Sequence, residues 1–347
     1  MTQTEFLKHL EDFLDEWKNG KKEVLVHTSG STGQPKPLWV EKERMKASAR
    51  LTCKFLDLKE GDTALLCMPL QYIAGKMVVV RSLVARLRLL PVAPCGHPLA
   101  ELTEIPTFAA MIPMQVFNSL SVPEEKEKLK QIKHLIIGGG AIDTQLAEEL
   151  KHFPNAVWST YGMTETLSHI ALRRLNGPEA SDWYTPFQQV HIHLSEEGTL
   201  CINAPLVCAE ELVTNDRAEL NAQGQFKILG RKDNIINSGG IKVQIEEVEK
   251  KLKEVFPFHF LITAKPDSKF GEVIVMIIEE KSLKRYIKDE NLSIKKNNFI
   301  NLLQIKCKNA LPAYWCPKIF MILETLPMTE TGKPDRARAR FIAKSYV

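Results

Sequence analysis

The 347-residue chain has no Cys-x-x-Cys pair, and its seven cysteines (53, 67, 95, 201, 208, 307 and 316) are odd in number and scattered. The spacing therefore encodes neither a disulfide framework nor a zinc knuckle, and it favours a reducing compartment. No apolar run approaches the ~18 residues that cross a bilayer; the best candidate, 77–92, is broken by Arg81, Arg86 and Arg88. Residues 1–22 are rich in acids and lack an apolar h-region, so no secretory leader is read there and the expected setting is cytoplasmic. Charge of one sign is not in excess either. With 46 Lys+Arg against 42 Asp+Glu, a net +4 does not point to nucleic acid. Repeats and low-complexity tracts are missing. What remains is 44% hydrophobic and 25% charged residues with ordinary glycine and proline, the composition of a folded protein with a sizeable core. No sequence feature fixes an oligomeric state.

The near-neutral total hides an asymmetry. Residues 1–233 hold 26 basic and 29 acidic residues, whereas 234–347 hold 20 basic and 13 acidic. A basic C-terminal part could attract a phosphorylated ligand, or be a solvated lysine-rich surface.

Apolar residues at helical spacing predict an opening amphipathic helix over 4–17, then a strand at 24–27 that runs into the small-residue segment Thr28-Ser-Gly-Ser-Thr-Gly-Gln-Pro-Lys36. Helices are expected over 41–56 and 74–85, with strands at 64–68 and 87–92. The run 134–137, then Gly138-Gly-Gly140 and a helix opening near Asp143, reads as strand–turn–helix. A further strand, 157–160, enters Tyr161-Gly-Met-Thr-Glu-Thr166. This alternation predicts α/β layering. After Gly177 the strands shorten (191–194, 199–202, 225–229), which predicts an antiparallel segment closing the first domain. Beyond Asp233 come a helix at 244–255, strands at 260–264 and 272–279, a further helix and a strand at 319–323, with a charged surface region over 281–298. The expectation is a large N-terminal α/β domain, 1–232, and a small C-terminal α+β domain, 233–347, joined by a hinge.

Five segments carry chemistry. Thr28–Lys36 offers a glycine-rich backbone nest, hydroxyls and a lysine for phosphate, although it does not fit the Walker A spacing and is equally a surface turn. Glu165, beside Thr164 at a strand end, suits a magnesium ion on a triphosphate, and Tyr161 suits stacking on a base; an ordinary polar turn has the same letters. Asp216 at a strand end suits ribose hydroxyls, with Arg231 beyond a hairpin. Ser238-Gly-Gly-Ile-Lys242 is a glycine turn leading to a helix, and Thr329-Glu-Thr-Gly-Lys333 is an exposed loop. Each is weak singly. Their joint occurrence in this order is not.

Together they resemble the adenylate-forming superfamily of acyl-CoA ligases, luciferases and peptide-synthetase adenylation domains, over about residues 24–340. The resemblance implies that Thr28, Ser29, Gly30, Ser31, Thr32, Gly33 and Lys36 bind ATP, with Ser29, Ser31, Thr32 and Lys36 on its β- and γ-phosphates. Gly138, Gly139, Gly140 and Ala141 would line the adenine site with Tyr161 and Gly162. Thr164 would meet phosphate, Glu165 the Mg²⁺, and Asp216 the ribose, supported by Arg231. Lys333 would be the principal catalytic side chain, bridging carboxylate and α-phosphate. Asp233 would be the pivot about which the second domain turns, so that Ser238, Gly239, Gly240 and Lys242 serve thioester formation with CoA. Such chemistry needs charge stabilisation and positioning rather than a side-chain nucleophile.

Within the superfamily, the early arrival of the phosphate loop, the segment Pro69-Leu-Gln-Tyr-Ile-Ala-Gly75 and the run Tyr161–His169 resemble short o-succinylbenzoate–CoA ligases of menaquinone biosynthesis. That acid has two carboxylates, and the one not activated needs a partner if buried. Lys76 and Arg81 stand in an otherwise apolar stretch. They are either the wet face of a surface helix or, with Ser168 or His169, the second carboxylate's site. The sequence departs from the family at Pro37 after the loop lysine, at Tyr72 where relatives carry a gating histidine, and at Asn215 before Asp216. The tryptophans 17, 158 and 315 read as packing. His191 and His193 alternate as a metal pair would, but no third ligand stands near them in sequence, so they read as surface histidines. The competing readings are an adenylating enzyme for another acid or for a carrier protein, and a non-catalytic nucleotide-binding protein. The absence of a carrier segment after Lys333 and the retention of Lys36, Glu165, Asp216, Arg231 and Lys333 disfavour these.

Overall fold

The computed structural model describes residues 1–27, 37–140, 142, 144–289, 296–329 and 333–346. Among these residues the chain divides into two units, one of 1–214 with 220–227 and one of 215–219 with 228–347. The division runs inside one β-hairpin, a few residues before Asp233.

The first unit opens with helix α1 (Gln3–Lys18), started by a Thr2–Glu5 capping box and burying Phe6, Leu10 and Phe13. Strands β1 (Glu23–His27) and β2 (Pro37–Glu41) pair antiparallel, so the segment 28–36 joins two strands. Helix α2 (Lys42–Phe55) follows. The central sheet is built from β3 (Thr63–Leu66), β4 (Arg88–Pro91), β5 (Phe108–Met111), β6 (His134–Ile137), β7 (Ala156–Gly162), β8 (His169–Arg174) and β9 (Thr185–Pro186). Its order is β4-β3-β5-β6-β7-β8-β9. The β4-to-β7 part is parallel, and β8 and β9 turn it antiparallel. Parallel strands buried on both faces are near-continuous apolar runs, as in Leu65-Leu66 and Ile136-Ile137.

Helices α3 (Ile73–Ala85), α4 (Pro113–Leu120), α5 (Pro123–Gln131) and α6 (Thr144–Leu150) connect these strands. Gly75 lets α3 approach the preceding loop, since a Cβ there would fall 2.5 Å from the Pro69 carbonyl oxygen. Residues 75–82 of α3 are all buried. Ala74 and Leu83 are exposed, but the buried run between them holds both Lys76 and Arg81, which removes the surface-helix alternative for these two charges.

A four-stranded sheet, β10 (His191–Leu194), β11 (Thr199–Asn203), β12 (Leu212–Leu220) and β13 (Phe226–Arg231), supplies the expected closing segment. The second unit carries β14 (Ile235–Ser238), β15 (Ile241–Gln244), β16 (Phe260–Asp267), β17 (Gly271–Glu279) and β18 (Ile319–Leu323), ordered β15-β14-β17-β16 with β18 parallel to β17. Helices α7 (Ile245–Lys253), α8 (Glu280–Asp289), α9 (Lys296–Ala310) and α10 (Arg336–Ser345) complete it. The charged stretch from 281 is thus in part a helix whose Leu283 and Tyr286 enter the core with Phe258 and Phe299. Among the described residues no helix is long and apolar enough to cross a membrane.

Candidate active site

The centre of the first unit's site is the turn between β7 and β8. A Cβ on Gly162 would lie 2.3 Å from the Ser168 carbonyl oxygen and 2.4 Å from the His169 Cα, so only glycine lets the chain double back here. The ladder shifts register at Tyr161/Gly162. Fully buried Thr166 pins the turn: its hydroxyl accepts from the Met163 amide at 3.0 Å and stands 2.7 Å from the Ser168 carbonyl oxygen as donor. Leu167 takes φ +63°, and its amide donates to the Thr164 carbonyl at 2.9 Å. Thr164 is buried while Glu165 is exposed at the tip, and among the described residues its carboxylate makes no hydrogen bond or ion pair. Beside this turn, Gly138 ends β6 where a Cβ would meet the Thr160 hydroxyl at 2.4 Å, and Gly139 takes φ +81°. The Tyr161 ring meets Phe226 edge-on at 5.0 Å and Tyr184 at 5.9 Å. Thr28 to Lys36 and Ala141 lie outside the described residues.

Behind the turn lies a buried polar chain. Arg81, 2% exposed, donates from a terminal nitrogen to Ser168 Oγ at 2.5 Å. Ser168 Oγ is 3.3 Å from His169 Nδ1, and His169 Nε2 is 3.0 Å from Thr52 Oγ1. Burial lowers the Arg81 pKa to about 10, which still leaves it charged at neutral pH. Burial, and then the charge of Arg81, hold His169 well below its ordinary value, so the ring is neutral. Among the described residues no carboxylate pairs with Arg81, and its Nε has no hydrogen-bond partner. A buried cation without a counter-charge is costly. The structure thus brings Arg81, Ser168 and His169 together.

Lys76 is not with them. Five residues apart on a helix is an angle of about 140°, and Lys76 turns instead to α1, 3.2 Å from Glu16 and over the Phe13 ring at 4.6 Å. It already has its carboxylate. Tyr72 precedes α3 and bridges to His27 through the backbone. Thr52 and Glu16 were invisible in the motifs, because their partners are distant in sequence and no local pattern marks them.

In the second unit, Arg231 makes a two-pronged contact with Asp233, 2.9 and 2.8 Å, and lies 3.6 Å from Asp216. The hydrogen bonds to Asp233 raise the Arg231 pKa and those from Arg231 lower that of Asp233. The Lys333 pKa is lowered by burial and then by Arg231, against a raising influence from Asp216. Lys333 donates its amide to Thr329 Oγ1 at 3.1 Å, and its carbonyl accepts from the Thr329 amide at 2.7 Å. Four of the expected residues, Asp216, Arg231, Asp233 and Lys333, thus share one electrostatic neighbourhood. Ser238 to Lys242 is a hairpin whose central Gly239 and Gly240 take φ +61° and +81°, the combination of a two-residue I′ turn. The strand β15 separates it from the helix α7 that the sequence placed directly after the turn. Gln244 and Glu246 were not foreseen: Gln244 donates to the Arg231 carbonyl at 2.8 Å and to Glu246 at 2.6 Å.

The AMP-binding enzyme family model matches residues 15–208, more than half of the chain, and takes in the turns at Gly138–Gly140 and Gly162. The chain belongs to the AMP-binding enzyme family. Among curated relatives of this AMP-binding enzyme, the 2-succinylbenzoate–CoA ligase of Salmonella typhimurium is 27% identical over 280 residues, 76% of this chain. The chain spans 59% of that ligase's length. An acyl-CoA synthetase (AMP-forming)/AMP-acid ligase II-like protein from Dyadobacter fermentans is 32% identical with a TM-score of 0.64, covering 97% of this chain and 94% of that one. An o-succinylbenzoate CoA synthetase from Bacillus subtilis, solved with its acyl-adenylate intermediate, has a TM-score of 0.73 at 22% identity, covers 93% of this chain and 70% of that one, and shares the fold.

Proposed function

We propose that this AMP-binding enzyme is an o-succinylbenzoate–CoA ligase. A carboxylate oxygen attacks the α-phosphorus of ATP, pyrophosphate leaves, and the CoA thiol then displaces AMP from the acyl-adenylate, losing its proton. The observation that carries the substrate is Arg81, a buried guanidinium that donates to Ser168 and has no carboxylate partner among the described residues. A dicarboxylic acid brings the missing charge with the carboxylate that is not activated, whereas a fatty acid would leave it unmet. The 2-succinylbenzoate–CoA ligase relatives agree with this chemistry.

The residue roles follow the family pattern. Ser29, Ser31, Thr32 and Lys36 serve the β- and γ-phosphates, and Gly138 to Ala141 with Tyr161 serve the base. Magnesium enters as MgATP, and Glu165, an exposed carboxylate with no partner among the described residues, is of the donor class that Mg²⁺ takes alongside substrate oxygens. Asp216 serves the ribose and Arg231 braces it. Lys333 supplies positive charge to the carboxylate and α-phosphate during adenylation, and the Ser238–Lys242 hairpin serves thioester formation, with Asp233 as the pivot. CoA phosphates have a counter-charge in the basic C-terminal part.

Pyrophosphate release from ATP, measured across a panel of carboxylic acids with and without CoA, tests the reading. Turnover of o-succinylbenzoate well above that of benzoate or a fatty acid is expected. Silence with o-succinylbenzoate and turnover of a monocarboxylate would leave another aryl- or acyl-CoA ligase.

A further inference from the structure

The histidine pair on β10, read from sequence as a surface pair with no third ligand, gains ligands from the fold. The β10–β11 register sets His193 directly opposite Cys201, so the two side chains share one face of the hairpin. Glu211, immediately before β12, brings its carboxylate to 3.7 Å from His193 Nε2. The three ligand atoms, an imidazole nitrogen, a thiol sulfur and a carboxylate oxygen, all lie within 4.8 Å of one another. Among the described residues this is the one group of three or more His, Cys, Asp or Glu side chains so gathered. We propose that His193, Cys201 and Glu211 form a zinc site, three protein ligands with water in the fourth position.

Several features support that assignment. Zinc bonds of 2.0–2.3 Å in a tetrahedron put neighbouring ligand atoms about 3.3–3.8 Å apart, and the His193–Glu211 separation is already there. The sulfur and the nitrogen sit on paired strands, closed by a short turn in which Gly198 takes φ +73° and the Ser195 and Thr199 hydroxyls are 2.8 Å apart, so they are held by backbone rather than by a long loop. Cys201 is buried beneath, while the side chains of His193 and Glu211 are 54% and 41% exposed and leave an open approach for an ion and its water. The mixed N, S, O donor set matches a borderline-soft cation. It does not match Mg²⁺ or Ca²⁺, which take oxygen. Burial and then the Glu211 carboxylate raise the Cys201 thiol's pKa, so the sulfur is protonated before metal arrives. A cation reverses that balance: the Cys201 S–H bond breaks, a sulfur–zinc bond forms, and one proton is released to solvent per ion bound. The ion would tie together β10, β11 and the start of β12.

The test uses the full-length protein, stripped of metal with a chelator and titrated with Co²⁺, whose thiolate complexes absorb strongly. One equivalent is expected to give a thiolate-to-cobalt band with tetrahedral ligand-field absorption, and Zn²⁺ should displace it and raise the unfolding midpoint. Cys201→Ser should abolish the band. If that buried variant does not fold, His193→Ala and Glu211→Gln, both at exposed side chains, should each weaken Co²⁺ binding by about ten-fold or more. Absence of a thiolate band in the parent protein, or a band that His193→Ala and Glu211→Gln both leave unchanged, would overturn the assignment.

Discussion

Arg81 and Lys76 are two cations on one buried helix turned to opposite ends, and their substitutions should separate. Arg81→Met replaces a buried, unmatched charge by an apolar side chain of similar length, so stability should be unchanged or rise by up to about 3 kcal/mol. The same change should lower kcat/KM for o-succinylbenzoate by about 100-fold or more, and that for a monocarboxylate by less than about three-fold. Lys76→Met should cost about 1 kcal/mol through loss of the Glu16 pair and touch both acids alike. Kinetics on the two acids together with urea denaturation check all four numbers, and a dicarboxylate-selective effect at Lys76 would reverse the assignment. His169 adds a pH signature. Its folded pKa lies well below 6.5, so between that value and 6.5 the unfolded chain binds a proton that the native ring refuses. Stability therefore falls as pH drops below 6.5, by up to about 1.4 kcal/mol per pH unit for this proton. His134, whose pKa burial also lowers, contributes with the same sign, so the difference between the parent and His169→Gln isolates one ring. Urea midpoints from pH 7.5 down to 5 should show the variant losing stability less steeply; parallel curves would mean that His169 takes up its proton in the native state.

At the scale of elements, the β7–β8 turn links a sequence motif to the buried arginine. The motif Tyr161–Thr166 was legible because its glycine, threonines and acid stand in one run. Arg81 and Ser168 were named beside it as one of two readings, but Thr52 was not, because it reaches His169 only once α2 and the turn are packed. Helix α3 was legible as a helix, yet the burial of its whole 75–82 stretch was not, since two charges made it look half wet. Strand β5 and the β14–β15 hairpin were also missed: Phe108-Ala-Ala-Met111 shows no alternation, and 235–244 was read only as a glycine turn entering a helix. Gly162→Ala tests the link. The added methyl would press on the Ser168 carbonyl and the His169 Cα, displacing the hydroxyl that receives Arg81. A loss of about 2–4 kcal/mol in stability is expected, together with a rise in KM for the dicarboxylate. Gly198→Ala is the control. Its φ is +73° but nothing lies within 4 Å of its Cβ, so only backbone strain of about 1 kcal/mol should appear. Urea denaturation and initial rates distinguish them, and equal losses at both sites would show that crowding at Gly162 is relieved by small shifts.

For the whole molecule, two ways of dividing the chain give different answers, and the difference is physical. By contacts the second unit takes in 215–219 and 228–232, the segments that carry Asp216 and Arg231, and Arg231 pairs with both Asp216 and Asp233. By hydrophobic burial it starts later. The cluster from Ile236 to Phe320 and the smaller one around Val275, Met321, Ala339 and Ala343 lie entirely beyond Asp233. The boundary expected at Asp233 stands just before Ile236, the first residue of that core, whereas an electrostatic tie across a hairpin leaves no periodic trace. If burial governs folding, residues 233–347 expressed alone should unfold cooperatively, with a urea m-value of about 1–3 kcal/mol/M for a domain of this size. A fragment over 212–347 restores Asp216 and Arg231. Its added stability over the shorter piece should be small, below about 1 kcal/mol, because those pairs are half exposed and screened. A shorter fragment that gives no cooperative transition, beside a longer one that does, would show that the hairpin is part of the folding unit and that the core alone does not suffice.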